Sequence, residues 1–367
     1  MIDDMVVIDS IVHAFDSTTA NAITRYGKAI FLSAQQFQYS FTAPQYRIPP
    51  RRYFQRIGAE VVEAALFAES QVDIAVFHTV PIWGFIADFS PAEVGLELRR
   101  RQPDRVHLYG GISPLQGQKA LDDLDRQVEQ WGIIGLKLYP MDIIDGEVRA
   151  LSFADQDVIY PVLERCRTLE LKTIAIHKAF PLGPVQMDPF RVGDVDYAAR
   201  DFPDLNFEVV HSGMAFLEES AAQAARFDNV YVNFETTASL AELHPRRFLT
   251  VLGTFLAAGA GKRLFWSSAL TNSHPRPVLE AFAGLEMPQD MIEQLGFPPL
   301  TREIKADILG RNYARVHGID LDAMRQRLDG DAVSRQRAEG LAPPWSKLTD
   351  PAVVDPLALE VEAKLDV

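Results

Sequence analysis

Five of the eight histidines in this chain stand at, or just past, the ends of short apolar runs rich in β-branched residues. His13 closes VVIDSIVHAF, His78 lies in VFHTVPIW, His177 in IAIHKAF and His211 in FEVVHSGMAF, and His274 follows LFWSSALTNSHPRP. Glu235 closes a further run, VYVNFETT, and Lys137 shares one face of GLKLYP with Tyr139. Imidazole and carboxylate together suit zinc, iron or manganese. A single histidine at a strand end is more often a hydrogen-bonded core residue than a ligand. Six metal-competent side chains closing five or six different runs are harder to dismiss. His107 starts a run, His244 opens a helical stretch and His317 follows the last one, so these three read as structural. The lone Cys166 offers neither a disulfide framework nor a thiolate cluster, and it suits a reducing cytoplasm.

Groups scattered this far apart need a scaffold that gathers strand ends. The apolar runs alternate with longer amphipathic stretches, the pattern of βα units in a parallel sheet. The strands are expected at Met5–Val12, Val72–Phe77, Val106–Gly110, Gly135–Tyr139, Thr173–Ile176, Asn206–Val210, Val230–Phe234 and Arg263–Ser267. Eight strands are what a closed (β/α)8 TIM barrel requires, and such barrels carry their chemistry at the C-terminal ends of the strands. Alternation along the first strand puts Asp9, Ile11 and His13 on one face. The barrel is expected to span residues 1–328. A long aromatic insertion, 16–58, falls after strand one on the catalytic side and holds Arg47, Arg51, Arg52 and Arg56. A C-terminal extension, 329–367, is expected to pack over the barrel or over a neighbouring subunit of a homodimer.

Composition narrows the partners. Hydrophobic residues make up 47% of the chain, ample for a large core, and the net charge of −14 argues against nucleic acid or an anionic membrane as the main partner. The N-terminus, MIDDMVVIDS, is acidic where a secretory signal would be basic. No apolar stretch approaches the ~20 residues of a membrane span. These features point to a cytoplasmic enzyme acting on a small molecule. No GxGxxG or phosphate-loop pattern indicates a nucleotide cofactor.

The segments VIDSIVH, GLKLYP, IAIH, VVHSGMAF, LFWSS and ILGRNYARVHGI, in this order from Val6 to Ile319, resemble the metal-dependent amidohydrolase superfamily, in the branch of the aminocarboxymuconate-semialdehyde decarboxylase. Two positions depart from it. The resemblance implies two metal-binding residues on strand one, but Ile11 stands at the first and only His13 remains. It implies an aspartate after strand eight, where Ser267 is followed by Ser268. With His78, Glu235 and His274 nearby, the site reads as rebuilt, and the chain then resembles the TIM-barrel nonheme diiron monooxygenases. That likeness implies two iron ions, dioxygen, an electron donor and hydroxylation of a small or coenzyme A-linked acid. The ligand pool is His13, His78, His177, His211, Glu235 and His274, with His211, Glu235 and Lys137 catalytic. The Arg47–Arg56 cluster would grip the thioester's phosphates. The alternative is one zinc or manganese ion in a hydrolase or nonoxidative decarboxylase, held by His13 and His177, with His211 as acid/base. A third reading is a non-catalytic barrel.

Overall fold

The computed structural model describes residues 1–365. Short runs of Val, Ile and Leu form eight parallel strands: β1 Ile8–Val12, β2 Ile74–His78, β3 Val106–Gly111, β4 Gly135–Leu138, β5 Thr173–His177, β6 Asn206–Val210, β7 Val230–Asn233 and β8 Leu264–Phe265. Each pairs with the next in sequence order. Nearly every strand residue is buried, as expected where helices cover the outside and side chains fill the inside.

β8 is shorter than the sequence pattern suggests, and the reason lies in how the sheet closes. Past Phe265 the chain bonds to two partners at once. Trp266 O accepts from Ser10 N (3.3 Å) and Ser10 Oγ (2.7 Å), while Trp266 N donates to Ile308 O (3.1 Å). A helical turn, Asp307–Arg311, thus wedges between the first and last strands. Gly310 makes the wedge possible, because a Cβ there would lie 2.7 Å from Val6 O.

An additional hairpin, Met141–Ile144 with Glu147–Ala150, follows β4. Its Asp145-Gly146 turn has both residues at positive φ, the hairpin signal of an Asp-Gly pair.

The insertion is ordered. Helix Arg25–Phe41 starts at Thr24, whose hydroxyl accepts from Gly27 N, and a short helix, Pro50–Tyr53, follows. The extension clamps it. Trp345 Nε1 donates to Tyr46 O (2.7 Å), Asp355 accepts from Thr19 N (2.8 Å), and Leu357 and Ala358 are buried. Surface pairs Arg51–Glu362, Arg52–Asp350 and Lys28–Glu360 add little, about 0–1 kcal/mol each. These contacts correct the expected phosphate grip. Arg51 and Arg52 bind acids of the extension, Arg56 pairs with Glu93, and Arg47 donates to Thr42 O and lies over the Tyr39 ring. Among the described residues no helix is long and apolar enough to cross a membrane.

Candidate active site

A cavity of about 440 Å³ opens at the C-terminal ends of the strands. Phe15, Phe89, Phe180 and Tyr139 line it from the barrel loops, and Ile30, Ala34 and Phe37 line it from the insertion helix. His13, His177, His211 and Glu235 form its polar floor. Each sits at or within two residues of a strand end: His13 after β1, His177 closing β5, His211 after β6 and Glu235 after β7. The chain leaves these strands abruptly. Ala179, His211, Thr236 and Ala269 all take positive φ, at 54°, 63°, 66° and 62°. Non-glycine residues in uncommon regions of this kind cost of order 1–3 kcal/mol each and cluster where function fixes the geometry.

The ring nitrogens show what this floor is built for. His13 Nδ1 lies 2.9 Å from His78 O, His177 Nε2 2.7 Å from Phe180 O, and His211 Nδ1 3.2 Å from Glu235 O. A carbonyl only accepts, so each of these nitrogens carries the proton. In a neutral ring the other nitrogen is then bare. Burial drives His177 well below its usual pKa and His211 down to about 4, so both rings are neutral near pH 7. The bare nitrogens of His177 and His211 crowd each other, His13 Nε2 and a carboxylate. His211 Nε2 is 3.0 Å from His177 Nδ1 and 3.5 Å from Glu235 Oε2, and His13 Nε2 is 3.3 Å from Glu235 Oε1. Lone pairs facing lone pairs call for a cation. Among the described residues no group of three or more His, Cys, Asp or Glu side chains has the arrangement that would hold a metal ion as they stand. The separations at this floor nevertheless match the ~3.0–3.4 Å between neighbouring ligands on one ion with bonds of about 2.1 Å. The chemistry of the donor set fits a metal.

Around this floor lies a buried charge network. Burial alone would raise the Glu235 pKa, but His211, His13 and Lys137 outweigh it and hold the carboxyl well below its usual range. Lys137 Nζ is buried without a hydrogen-bond partner, 4.0 Å from Glu235 Oε2. Burial lowers its pKa, while Glu235 and Glu208 pull it back up. Glu208, which the sequence pattern does not single out, is pushed by burial to about 7 and accepts from Asn233 Nδ2.

Two expected ligands lie elsewhere. His78 is fully buried and does not line the cavity. Its Nε2 donates to Ser10 O (3.1 Å), its ring stacks on Tyr109 with centroids 4.2 Å apart, and only its carbonyl serves the site, by holding His13. His274 is satisfied at both nitrogens. Nδ1 accepts from Arg276 N at the start of helix Pro275–Gly284, and Nε2 donates to Glu69 (2.9 Å). Glu69 also accepts from Trp345 N and from Ser346 N and Oγ, so His274 belongs to the latch that holds the extension.

The two departures noted in the sequence also find their places. Ile11 is fully buried in the apolar interior of the barrel. Ser268 turns its hydroxyl to Asp9 Oδ2 (2.5 Å), and Ser268 N and Ser267 Oγ each lie 3.0 Å from Asp9 Oδ1. Burial pushes the Asp9 carboxyl up to about 7. Tyr53 and Asn272, joined by a 3.0 Å hydrogen bond, escape notice in the sequence because they lie 219 residues apart.

A parallel eight-stranded barrel that gathers three histidines and a glutamate under an apolar cavity defines a class, the TIM-barrel enzymes with their chemistry at the C-terminal mouth. The amidohydrolase family model matches residues 8–319, and the chain belongs to that family. No curated protein matches it. Solved structures share the fold. An uncharacterised TIM-barrel protein of Bordetella bronchiseptica superposes with a TM-score of 0.59 at 16% identity, covering 86% of this chain and 99% of that one. The 2,6-dihydroxybenzoate decarboxylase from Rhizobium gives 0.57 at 13%, covering 86% and 99%. The 5-carboxyvanillate decarboxylase of Novosphingobium aromaticivorans, complexed with manganese and 4-hydroxy-3-methoxy-5-nitrobenzoic acid, gives 0.54 at 13%, covering 86% and 96%. These findings overturn the expectation of a diiron monooxygenase fed by dioxygen and an electron donor. The matching family model is that of an amidohydrolase, and the solved structures that share the fold include decarboxylases, one of them complexed with manganese. The coenzyme A-linked substrate falls with it, since its intended arginines are paired elsewhere.

Proposed function

We propose that the chain is a nonoxidative decarboxylase of a largely apolar carboxylic acid, dependent on one manganese or zinc ion. The carrying observation is the set of three imidazoles, each donating from one ring nitrogen to a backbone carbonyl, with the other nitrogens of His13 and His211 facing Glu235 and that of His177 facing His211. His13, His177, His211 and Glu235 hold the ion. When bound, the ion supplies a Lewis acid that polarises an oxygen of the substrate. The aromatic wall excludes water from the carboxylate that must lose its charge. As the bond to the carboxylate carbon breaks and carbon dioxide leaves, the carbon keeps the electron pair and takes a proton from Lys137 Nζ relayed through Glu235, whose Oε2 lies 4.0 Å away, and solvent restores the lysine proton.

The family model favours a second reading, hydrolysis, in which Glu235 takes a proton from water. Both readings must do without the proton-handling aspartate that the family resemblance implies, since Ser268 stands there and bonds to Asp9. Metal analysis of the purified protein, followed by an assay for carbon dioxide release from benzoic acids and for hydrolysis of lactones and amides, tests both. One manganese or zinc per chain with release of carbon dioxide is the expected result. Metal with hydrolysis alone moves the case to the second reading, and a protein that binds neither ion ends both.

A further inference from the structure

Asn272 lines the cavity on the loop after β8, and that loop is held firmly. Leu270 O accepts from His13 N, Ser273 Oγ meets Ser239 Oγ at 2.8 Å, and His274 is anchored on Glu69. The amide of Asn272 is held as well. Tyr53 is 4% exposed, and its hydroxyl donates to Asn272 Oδ1 at 3.0 Å. A buried phenol needs an acceptor, so Oδ1 must face Tyr53, and Nδ2 then faces away with its two protons unused. None of the hydrogen bonds among the described residues engages Nδ2. The rest of the wall narrows the ligand. The lining residues include no lysine or arginine, and Glu235 is their only charged member apart from any proton on a histidine. A second anionic group on a substrate would find no cation here.

We propose that Asn272 is the specificity-determining residue of this cavity, donating from Nδ2 to a neutral oxygen acceptor on a substrate that is otherwise apolar and carries a single carboxylate. Tyr53 is a positioning residue that fixes which end of the amide the substrate meets. The placement of the carboxylate at the histidines rests on the decarboxylase reading; the donor at Asn272 does not.

The test is calorimetric titration of the full chain loaded with manganese, using 3-acetylbenzoate, 3-aminobenzoate, benzoate and isophthalate. Wild type should bind the acetyl compound about tenfold tighter than the amino compound, one hydrogen bond's difference. Isophthalate should bind more weakly than benzoate. Asn272→Asp should invert the acetyl and amino order. Tyr53→Phe, which lets the amide turn, should shrink the difference to within about twofold while leaving benzoate affinity unchanged. A purely structural role would weaken all four ligands together. An unaltered acetyl preference in Asn272→Asp, no preference in wild type, or isophthalate binding as tightly as benzoate would each overturn the inference while manganese binding stands. Failure to load manganese, or failure of the loaded protein to bind benzoate, would instead sink the reading on which the carboxylate placement rests, and the proposed substrate with it.

Discussion

Two buried imidazole–carboxylate groups in this barrel look alike in the sequence and differ in kind. At the mouth, His13, His177 and His211 each turn a ring nitrogen toward Glu235 or toward one another, and Lys137 waits without a hydrogen bond. At the latch, His274 uses both nitrogens and Glu69 accepts from four donors. The first group is incomplete without a cation and the second is complete as it stands. What separates a candidate ligand from a structural histidine here is whether its other nitrogen meets Glu235 or another such ring at the cavity, not its burial or its place at a strand end.

The sharpest way to break this contrast is to remove one residue from each side. His177→Ala should lower turnover at least ~10³-fold and deplete metal, with a small change in stability, because the core does not rest on that ring. Full metal content in the variant would remove His177 from the ligand set. Glu69→Ala should do the reverse. It leaves His274 and Trp345 N buried without their acceptor, so unfolding free energy in urea should fall by about 3 kcal/mol while metal stoichiometry holds. A loss of metal there, with stability unchanged, would erase the distinction.

Titration offers a finer comparison, because Asp9 and Glu69 shift in opposite directions. Burial raises Asp9 to about 7, so its contribution to stability is present below the unfolded value near 3.8 and is lost as pH rises to about 7. For Glu69, burial works upward, but the bonds from His274 and Ser346 prevail and lower its pKa. Its contribution is present above the unfolded value of 4.5 and lost as pH falls through the lower folded one. Unfolding free energies measured from pH 4 to 7.5 should show Asp9→Asn losing less stability toward neutral pH than wild type. Equal slopes would mean that Asp9 is ionised throughout. The smallest effect is expected at the rim. Arg52→Ala breaks an exposed pair with Asp350 and should shift the melting temperature by no more than about a degree.

Much of the fold was legible in the chain. The alternation of apolar runs and amphipathic stretches locates all eight strands, because parallel strands covered on both sides must be apolar throughout. β8 was overextended because its last residues bond to a helix that joins from more than 40 residues later, at Ile308. The hairpin at Met141–Ala150 was signalled by Asp145-Gly146 and passed over. At the site, His13, His177, His211 and Glu235 could be picked out as strand-end residues of the right type. His78 and His274 met the same criterion, and nothing local tells them apart. What sets His78 and His274 apart is that neither lines the cavity, which depends on how the strands and loops pack around each ring. Asp9 was visible on the face of β1, but its grip on Ser268 spans 259 residues.

The clamp between extension and insertion carries a consequence for the order in which the molecule is made. Chains generally fold from the N-terminus as they are synthesised, so the barrel's first strands exist long before Trp345 or Asp355 has left the ribosome. The helix that roofs the cavity, Arg25–Phe41, and the segment that carries Tyr53 are translated well before residues 345–362, which fasten them. Until that stretch arrives, the roof lacks its fastening and Tyr53 has no fixed hold on Asn272. The cavity is therefore finished only once residues 345–362 have been made, and a nascent chain with all four candidate ligands in place would still lack the fixed amide of Asn272.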